Sequence, residues 1–254
     1  MAIKTLSFKT FEWMPIEFDE IETIEAVKEG DPRIYLTPEG NFPSMTTILG
    51  QLTKKSDIDA WRDYVGHDEA DKIVAAAIDR GNALHDYNER YLKNELQRSD
   101  MIHAQAKMLF NRVKQYLDAI ELVIGTESPL YSKSCGYAGR CDAIGVVDGD
   151  ICIIDHKNTR KVMHASKYGR KKLWKYKIQC CGYARALYEM TGVQASHGYL
   201  VVGNVEANTG EAIKFELTKE LYHDLDVLVE AWYHNGTKKE KAALLKTCNY
   251  HSVR

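Results

Sequence analysis

Two short apolar runs, Ile144-Gly145-Val146-Val147 and Ile151-Cys152-Ile153-Ile154, flank the dipeptide Asp148-Gly149. Asp-Gly between apolar runs predicts a β-hairpin with a two-residue type I′ turn. A loop centred there pairs Val147 with Asp150, Val146 with Ile151 and Ile144 with Ile153, and in that register Asp142 faces Asp155. Opposed residues on antiparallel strands share a face, with Cβ atoms about 4.5–5.5 Å apart. Lys157, two residues beyond Asp155, is expected on that face as well. A one-residue bulge would instead send the two aspartates to opposite faces.

The rest of the pattern divides into three stretches. Strands are predicted at Ile3–Phe11, Glu22–Val27 and Ile34–Thr37, with breakers at Gly30-Asp31-Pro32 and Pro38-Glu39-Gly40. Helices are predicted at Met45–Leu52, Asp57–Val65, Asp68–Leu96 and Ser99–Ile120. A strand Leu122–Ser132 leads into the hairpin, and a helix Leu173–Met190 follows it. Strands His197–Val202 and Ile213–Glu216 then precede a helix Lys219–His234, leaving a Lys-rich tail, Gly236–Arg254, without an assigned structure. This order predicts an α/β fold with a central mixed β-sheet flanked by helices, plus an N-terminal β-hairpin region and a helical subdomain. The expected units are 1–43 (strands), 44–120 (helices), 121–235 (core) and 236–254 (tail).

Composition narrows the class. At 254 residues, 44% hydrophobic and 28% charged, the chain can bury one large core. No apolar run approaches the roughly 18 residues of a membrane span. The first residues lack a secretory h-region, and the early acids Glu12, Glu17, Asp19 and Glu20 are foreign to a transit peptide. Six cysteines show neither a C-x-x-C nor a zinc spacing, and Cys141, Cys152, Cys180 and Cys181 are expected to be buried thiols in a reducing, cytoplasmic setting. No cysteine has an identifiable base partner, which disfavours a Cys–His hydrolase. The net charge of −2 excludes a uniformly basic nucleic-acid binder. Yet nine basic residues fall between Lys157 and Lys177 without one acid, interleaved with Tyr168, Trp174 and Tyr176, while Phe18–Glu25 is acidic. Cations among aromatics suit phosphate attraction and base stacking.

Candidate chemistry centres on the hairpin. Facing carboxylates repel unless a cation compensates, and hard divalent cations prefer carboxylate oxygens. A lysine beside them can orient water or stabilise charge growing on a phosphate. His85, in Arg80-Gly81-Asn82-Ala83-Leu84-His85, can add a nitrogen ligand, since imidazole tolerates a mixed shell around Mn²⁺. Gly81, unfavourable inside a helix, suggests close approach by another backbone or a ligand. Glu127 precedes Ser128-Pro129, and the proline marks an edge or a bulge. Gln179 and Tyr183 share a helical face, with Lys175 one turn earlier.

Together these pieces resemble the PD-(D/E)XK nuclease superfamily in its RecB-like exonuclease branch. That branch carries an R-G-x-x-x-H helix, a carboxylate before the hairpin, a G-x-x-D strand, a D-x-K strand and a Q-x-x-x-Y helix. Here these are Arg80–His85, Glu127, Gly139–Asp142, Asp155–Lys157 and Gln179–Tyr183, in that order, between about Pro43 and Val202. The Pro43–Leu49 segment and the Glu127-to-Asp142 spacing are most similar to mitochondrial genome maintenance exonucleases and their phage relatives; without a transit peptide, a phage or bacterial member is expected.

The resemblance implies a restriction-endonuclease-like core and a Mg²⁺- or Mn²⁺-dependent DNA exonuclease of replication, repair or recombination, acting on single strands or ends. Asp142 and Asp155 would be metal ligands, helped by His85 and the backbone carbonyl of His156, and Glu127 would complete the acidic cluster. Lys157 would position the attacking water. Gln179, Tyr183 and Arg80 would contact DNA, as would the basic residues Arg170, Lys171, Lys172 and Lys175. Relatives with an iron–sulfur cluster need one upstream cysteine and a C-terminal trio; no cysteine precedes Cys135, so no cluster is expected. A monomer is expected. An endonuclease using the same site and a DNA-binding factor with a vestigial one are the alternatives.

Overall fold

The computed structural model describes residues 8–17, 22–24, 33–53, 55–163 and 167–252. In it the apolar runs around Asp148-Gly149 pair as the sequence pattern requires. Strands β6 (Tyr137–Val147) and β7 (Asp150–Thr159) are joined with Val147 opposite Asp150 and Ile144 opposite Ile153. Both turn residues take positive φ, 50° at Asp148 and 76° at Gly149, as a type I′ turn demands.

A long strand β5 (Ile120–Ser132) pairs antiparallel with β6 on its other edge. Strand β8 (His197–Asn204) runs parallel to β7, and β9 (Thr209–Glu216) closes the edge as a hairpin with β8. A two-residue strand β1 (Glu12–Trp13) lies parallel to the start of β5. The result is a six-stranded mixed sheet of order β1-β5-β6-β7-β8-β9. A separate three-stranded antiparallel sheet holds β2 (Glu22–Ile24), β3 (Ile34–Thr37) and β4 (Gly40–Pro43).

Helices cover both faces of the large sheet, so its central strands read as nearly continuous apolar runs. On one face, α3 (His67–Leu92) and α4 (Ala104–Leu117) bury Leu84, Tyr91, Phe110 and Val113 against Ala143, Ile154 and Val201. On the other, α1 (Met45–Gly50), α5 (Lys167–Thr191) and α6 (Lys219–Tyr233) pack Met45, Ile48, Ile178, Cys181 and Leu225 against Ile144, Ile153 and Leu200. Helix α2 (Lys55–Val65) precedes α3, and α7 (Lys238–Leu245) follows α6. Among the described residues no helix is long and apolar enough to cross a membrane. The six cysteines are unpaired and all but Cys135 are buried, as the strand and helix patterns suggest for Cys141, Cys152, Cys180 and Cys181.

Several boundaries differ from expectation for identifiable reasons. Expected strand Ile3–Phe11 lies partly outside the described residues, and its described end, 8–11, is irregular; the described half of Glu22–Val27 is strand β2, Gly30-Asp31-Pro32 lies outside them, and the acidic Phe18–Glu25 falls largely outside them. Pro38-Glu39 proves to be the turn of a hairpin whose second arm is β4, with Gly40 at φ 132°. Helix α4 starts at Ala104, because residues 98–100 form a separate 3₁₀ turn tied to Arg90 by Asp100. Helix α5 starts six residues before the expected Leu173, since lysines and arginines are good helix formers even where no apolar period marks them. The described part of the tail, to Ser252, forms α7 and a 3₁₀ turn at Asn249–Ser252, and α7 opens on a capping box in which Thr237 and Glu240 satisfy each other's backbone.

One buried carboxylate fastens the tail. Asp224 is fully buried on α6; its oxygens accept from Trp174 Nε1 at 2.7 Å, Asn249 N at 2.7 Å, Asn249 Nδ2 at 3.0 Å and Tyr250 N at 3.0 Å. Asp224→Ala leaves these donors without their acceptor, so it should destabilise the fold by about 3–5 kcal/mol, with Asp224→Asn between it and wild type. Urea unfolding of the three proteins checks the ranking, and equal midpoints would sink it.

Candidate functional site

The site begins where the hairpin ladder stops. Thr126 pairs with Ala143 and Ser128 with Cys141, which leaves Glu127 across from Asp142 on the adjoining strand. Glu127 takes φ 45°, an uncommon value for a residue with a side chain, immediately before the strand's proline. On the other side the β6–β7 ladder ends at Ala143 and Ile154, one step short of Asp142 and Asp155. Cys141 and Ile144 both belong to the core beneath α5 while Ala143 belongs to the opposite one, so side-chain alternation slips at Asp142.

Asp142 and Asp155 are therefore not the opposed pair on one face that the register predicts. The Asp142 carboxylate instead accepts the backbone N–H of His156 at 2.6 Å and lies 3.5 Å from His85 Nδ1. Asp155, 1% exposed, accepts from Lys157 Nζ at 2.7 Å. The charge of Asp142 still raises the Asp155 carboxyl, and the Lys157 ammonium offsets part of that repulsion.

Electrostatics follow from that arrangement. Burial opposes ionisation of Asp142, but the charges of His85 and Lys157 and the His85 hydrogen bond outweigh it and hold the carboxyl below its ordinary range. Asp155 is pushed up to about 6, mainly by burial, despite Lys157. Burial also opposes the Lys157 charge, yet Asp155 and Asp142 more than compensate, so its proton is held more firmly than an ordinary lysine's. Such an ammonium is a hydrogen-bond donor and a fixed positive charge, not a base. His85 is likewise raised, Asp142 overcoming the cost of burial, whereas burial lowers His156 to about 4 and keeps its ring neutral.

Helices bring the remaining groups to a cavity of about 770 Å³ lined by Glu127, Asp142, Lys157, His85, Gln179 and Tyr183. Gly81 on α3 is where a Cβ would come 2.8 Å from Asn158 Nδ2, so a side-chain amide makes the close approach there, and Gly81 itself lines the cavity. Arg80 donates to the same amide's oxygen at 3.1 and 3.2 Å; it buttresses the wall instead of lining it. Gly139 has a matching reason, since a Cβ there would sit 2.9 Å from the Tyr183 ring. Gln179 and Tyr183 share one buried face of α5, their polar ends 3.4 Å apart.

The basic residues of α5 stand apart from the cavity. Lys171 and Lys175 lie over the Tyr250 ring at 5.0 and 5.6 Å, Lys175 also bonds Thr53, and Lys172 lies 5.8 Å from the Tyr176 ring that Lys157 shares at 4.8 Å. Arg170 is half-buried beside them, and the side chains of Lys167 and Tyr168 lie outside the described residues. Several cavity residues escaped the sequence reading. Asn82 and Glu89 follow from His85 by helical spacing and Asn158 adjoins Lys157, but nothing local marks Arg33, Tyr35 or Arg140.

The donor set tests what a cation would meet. Nitrogens of His85 and His156 and an oxygen of Asp142 lie within 4.8 Å of one another. Asp155 Oδ2 and His156 Nε2 are buried without a partner among the described residues. Buried polar atoms without partners are costly, and a bound ion is one way to satisfy them. A mixed nitrogen–oxygen set suits Mn²⁺ better than Mg²⁺, which prefers oxygen. The ring of His156 is a donor in this set in addition to the backbone carbonyl that the resemblance implies. No family model and no curated protein matches the chain.

Glu127 supplies a pH test. Burial first, then the charges of Asp142 and Glu89, raise its carboxyl from 4.5 to about 7. Between those values the folded chain keeps a proton that the unfolded chain has lost, so this group's contribution to stability falls as pH rises from about 4.5 to about 7 and is absent above. Glu127→Gln should thus melt higher than wild type at about pH 8, the gap closing towards about pH 4.5. Thermal melts across that range check it; a constant gap would refute the assignment.

Proposed function

We propose that the chain is a divalent-metal-dependent nuclease that hydrolyses phosphodiester bonds, acting as an exonuclease on single-stranded DNA or DNA ends in replication, repair or recombination. One observation carries the reading: Glu127, Asp142 and Asp155 stand on three adjacent strands, with the Lys157 ammonium 2.7 Å from Asp155 and His85 3.5 Å from Asp142. Carboxylates, imidazole and lysine converging on a cavity that also holds Gln179 and Tyr183 suit phosphoryl chemistry. The restriction-endonuclease-like order of motifs agrees with this. His85, Asp142 and His156, with Asp155 alongside, are the residues that would hold the metal, which would polarise a phosphoryl oxygen and acidify water.

The chain's own groups have separable tasks. Lys157 Nζ, anchored by Asp155, donates hydrogen bonds to the attacking water or to an oxygen gaining charge. Glu127, titrating near neutrality, is suited to exchange a proton with water at its carboxylate. Asp142 keeps its charge, so it favours cations at the cavity wall. Gln179 and Tyr183 present an amide and a hydroxyl to the strand's backbone or terminal nucleotide.

The test is degradation of linear single-stranded DNA, labelled at its 5′ or 3′ end, in Mg²⁺ and in Mn²⁺ beside a covalently closed circular strand. The expected result is loss of the linear strand and survival of the circle, with Lys157→Ala slower by at least about a hundredfold. Cutting of the circle would make the protein an endonuclease. Binding without cleavage in either metal would make it a DNA-binding factor. Independently of activity, Mn²⁺ should raise the melting temperature of wild type and not of Asp142→Asn; equal shifts would remove Asp142 from the metal site.

A further inference from the structure

The cavity carries more negative charge than the reading of its chemistry alone requires. Asp86, Glu89, Glu127 and Asp142 all line it, and a polyanionic strand entering there would be repelled unless cations flank the carboxylates. Lys157 stands on one side, already committed to Asp155. Two arginines line the same cavity, Arg33 just before β3 and Arg140 on β6.

Their nearness is built into the fold. The carbonyl of Arg33 accepts the backbone N–H of Ser44 at 2.8 Å, and Ser44 forms a parallel bridge with Ala138, two residues before Arg140 on β6. Tyr35 packs with Ala138, so the small sheet is seated on the start of β6. Both arginine side chains are exposed, and neither forms an ion pair among the described residues. Among the described residues Arg140 donates to the Glu127 carbonyl alone, at 3.3 Å, which aims it at the strand kink beside the carboxylates. Two exposed guanidinium groups without an ion pair among the described residues, lining a cavity that also includes Ser44 and Thr46, carry the forked donors that bind phosphate.

We propose that Arg33 and Arg140 form an anion subsite that grips a backbone phosphate flanking the one under attack, a role that rests on the nuclease reading above. The small N-terminal sheet thereby has a function: it delivers Arg33 to the rim. The subsite acts on binding and not on the chemical step.

The test is binding of a fluorescent single-stranded oligonucleotide in EDTA, by anisotropy over a range of salt, for wild type, Arg33→Ala, Arg140→Ala, the double variant and Arg112→Gln. Arg112 is exposed and bonds Asn208 outside the cavity, which makes it the control. Each cavity variant should bind about tenfold more weakly, and the double variant should lose about 0.7 from the log–log salt slope, the signature of one phosphate contact on a single strand. With metal present, KM should rise while kcat holds. A single neutral methylphosphonate linkage, walked along the oligonucleotide, should weaken wild type at one position and cost the double variant nothing further there. Arg33→Ala, whose side chain is exposed and makes no hydrogen bond or ion pair among the described residues, guards against misfolding of Arg140→Ala. Unchanged affinity and slope in variants of a wild type that does bind would overturn the subsite alone. A wild type that binds no polynucleotide would overturn both the subsite and the nuclease reading.

Discussion

The Asp142 carboxylate, accepting the His156 N–H where the β6–β7 ladder ends, is the contact on which the site depends. A backbone carbonyl in that place would have carried the pairing one step further and set Asp142 and Asp155 side by side. With the carboxylate there instead, the strands part, the buried N–H stays satisfied, and groups from both faces of the sheet reach one opening. His85 comes from α3 on one face and Lys157, Gln179 and Tyr183 gather with α5 on the other. A regular ladder would have kept these two sets of side chains on opposite sides of a closed sheet.

That parting also distributes charge. His85 and Lys157 outweigh burial at Asp142, while at the more deeply buried Asp155, where the Asp142 charge adds to the cost, Lys157 does not, so the two carboxyls move in opposite directions. Groups pushed apart in this way take different roles, one holding charge and the other able to hold a proton. Glu127 joins the second kind. Removing Lys157 would therefore do more than delete a donor, because Asp155 would be left buried with its main counter-charge gone.

Much of this was legible because local rules carry it. The Asp-Gly turn fixes the register of β6 and β7, helical spacing places Gln179 with Tyr183, and a buried sheet announces itself in Ile151–Ile154. The parting at Asp142 was not, because it depends on a contact between one strand's side chain and another's backbone, for which the apolar pattern has no symbol. The same holds for Gly81 and Gly139, whose neighbours, Asn158 and Tyr183, are distant in the chain. The early start of α5 was hidden for another reason: its first turns, Lys167 to Lys172, hold four lysines and arginines beside Tyr168 and Gly169, and so carry no apolar period that marks a buried face.

The N-terminal sheet shows where local reading must stop. Its strands are short and weakly patterned, and alone such a sheet would have little core. Its place comes from Tyr35 against Ala138 and Tyr131, and from Ser44, which both bridges β6 and caps α1 by accepting from Thr47 N at 3.0 Å. One serine thus ties the small sheet, the central strand and the first core helix together. Because β6 carries Gly139, Arg140 and Asp142 in succession, anything that shifts the small sheet is transmitted to the cavity rim before it reaches the carboxylates. The sheet's seating and the cavity's shape are one packing problem, and its solution lies in contacts between residues about a hundred positions apart in the chain.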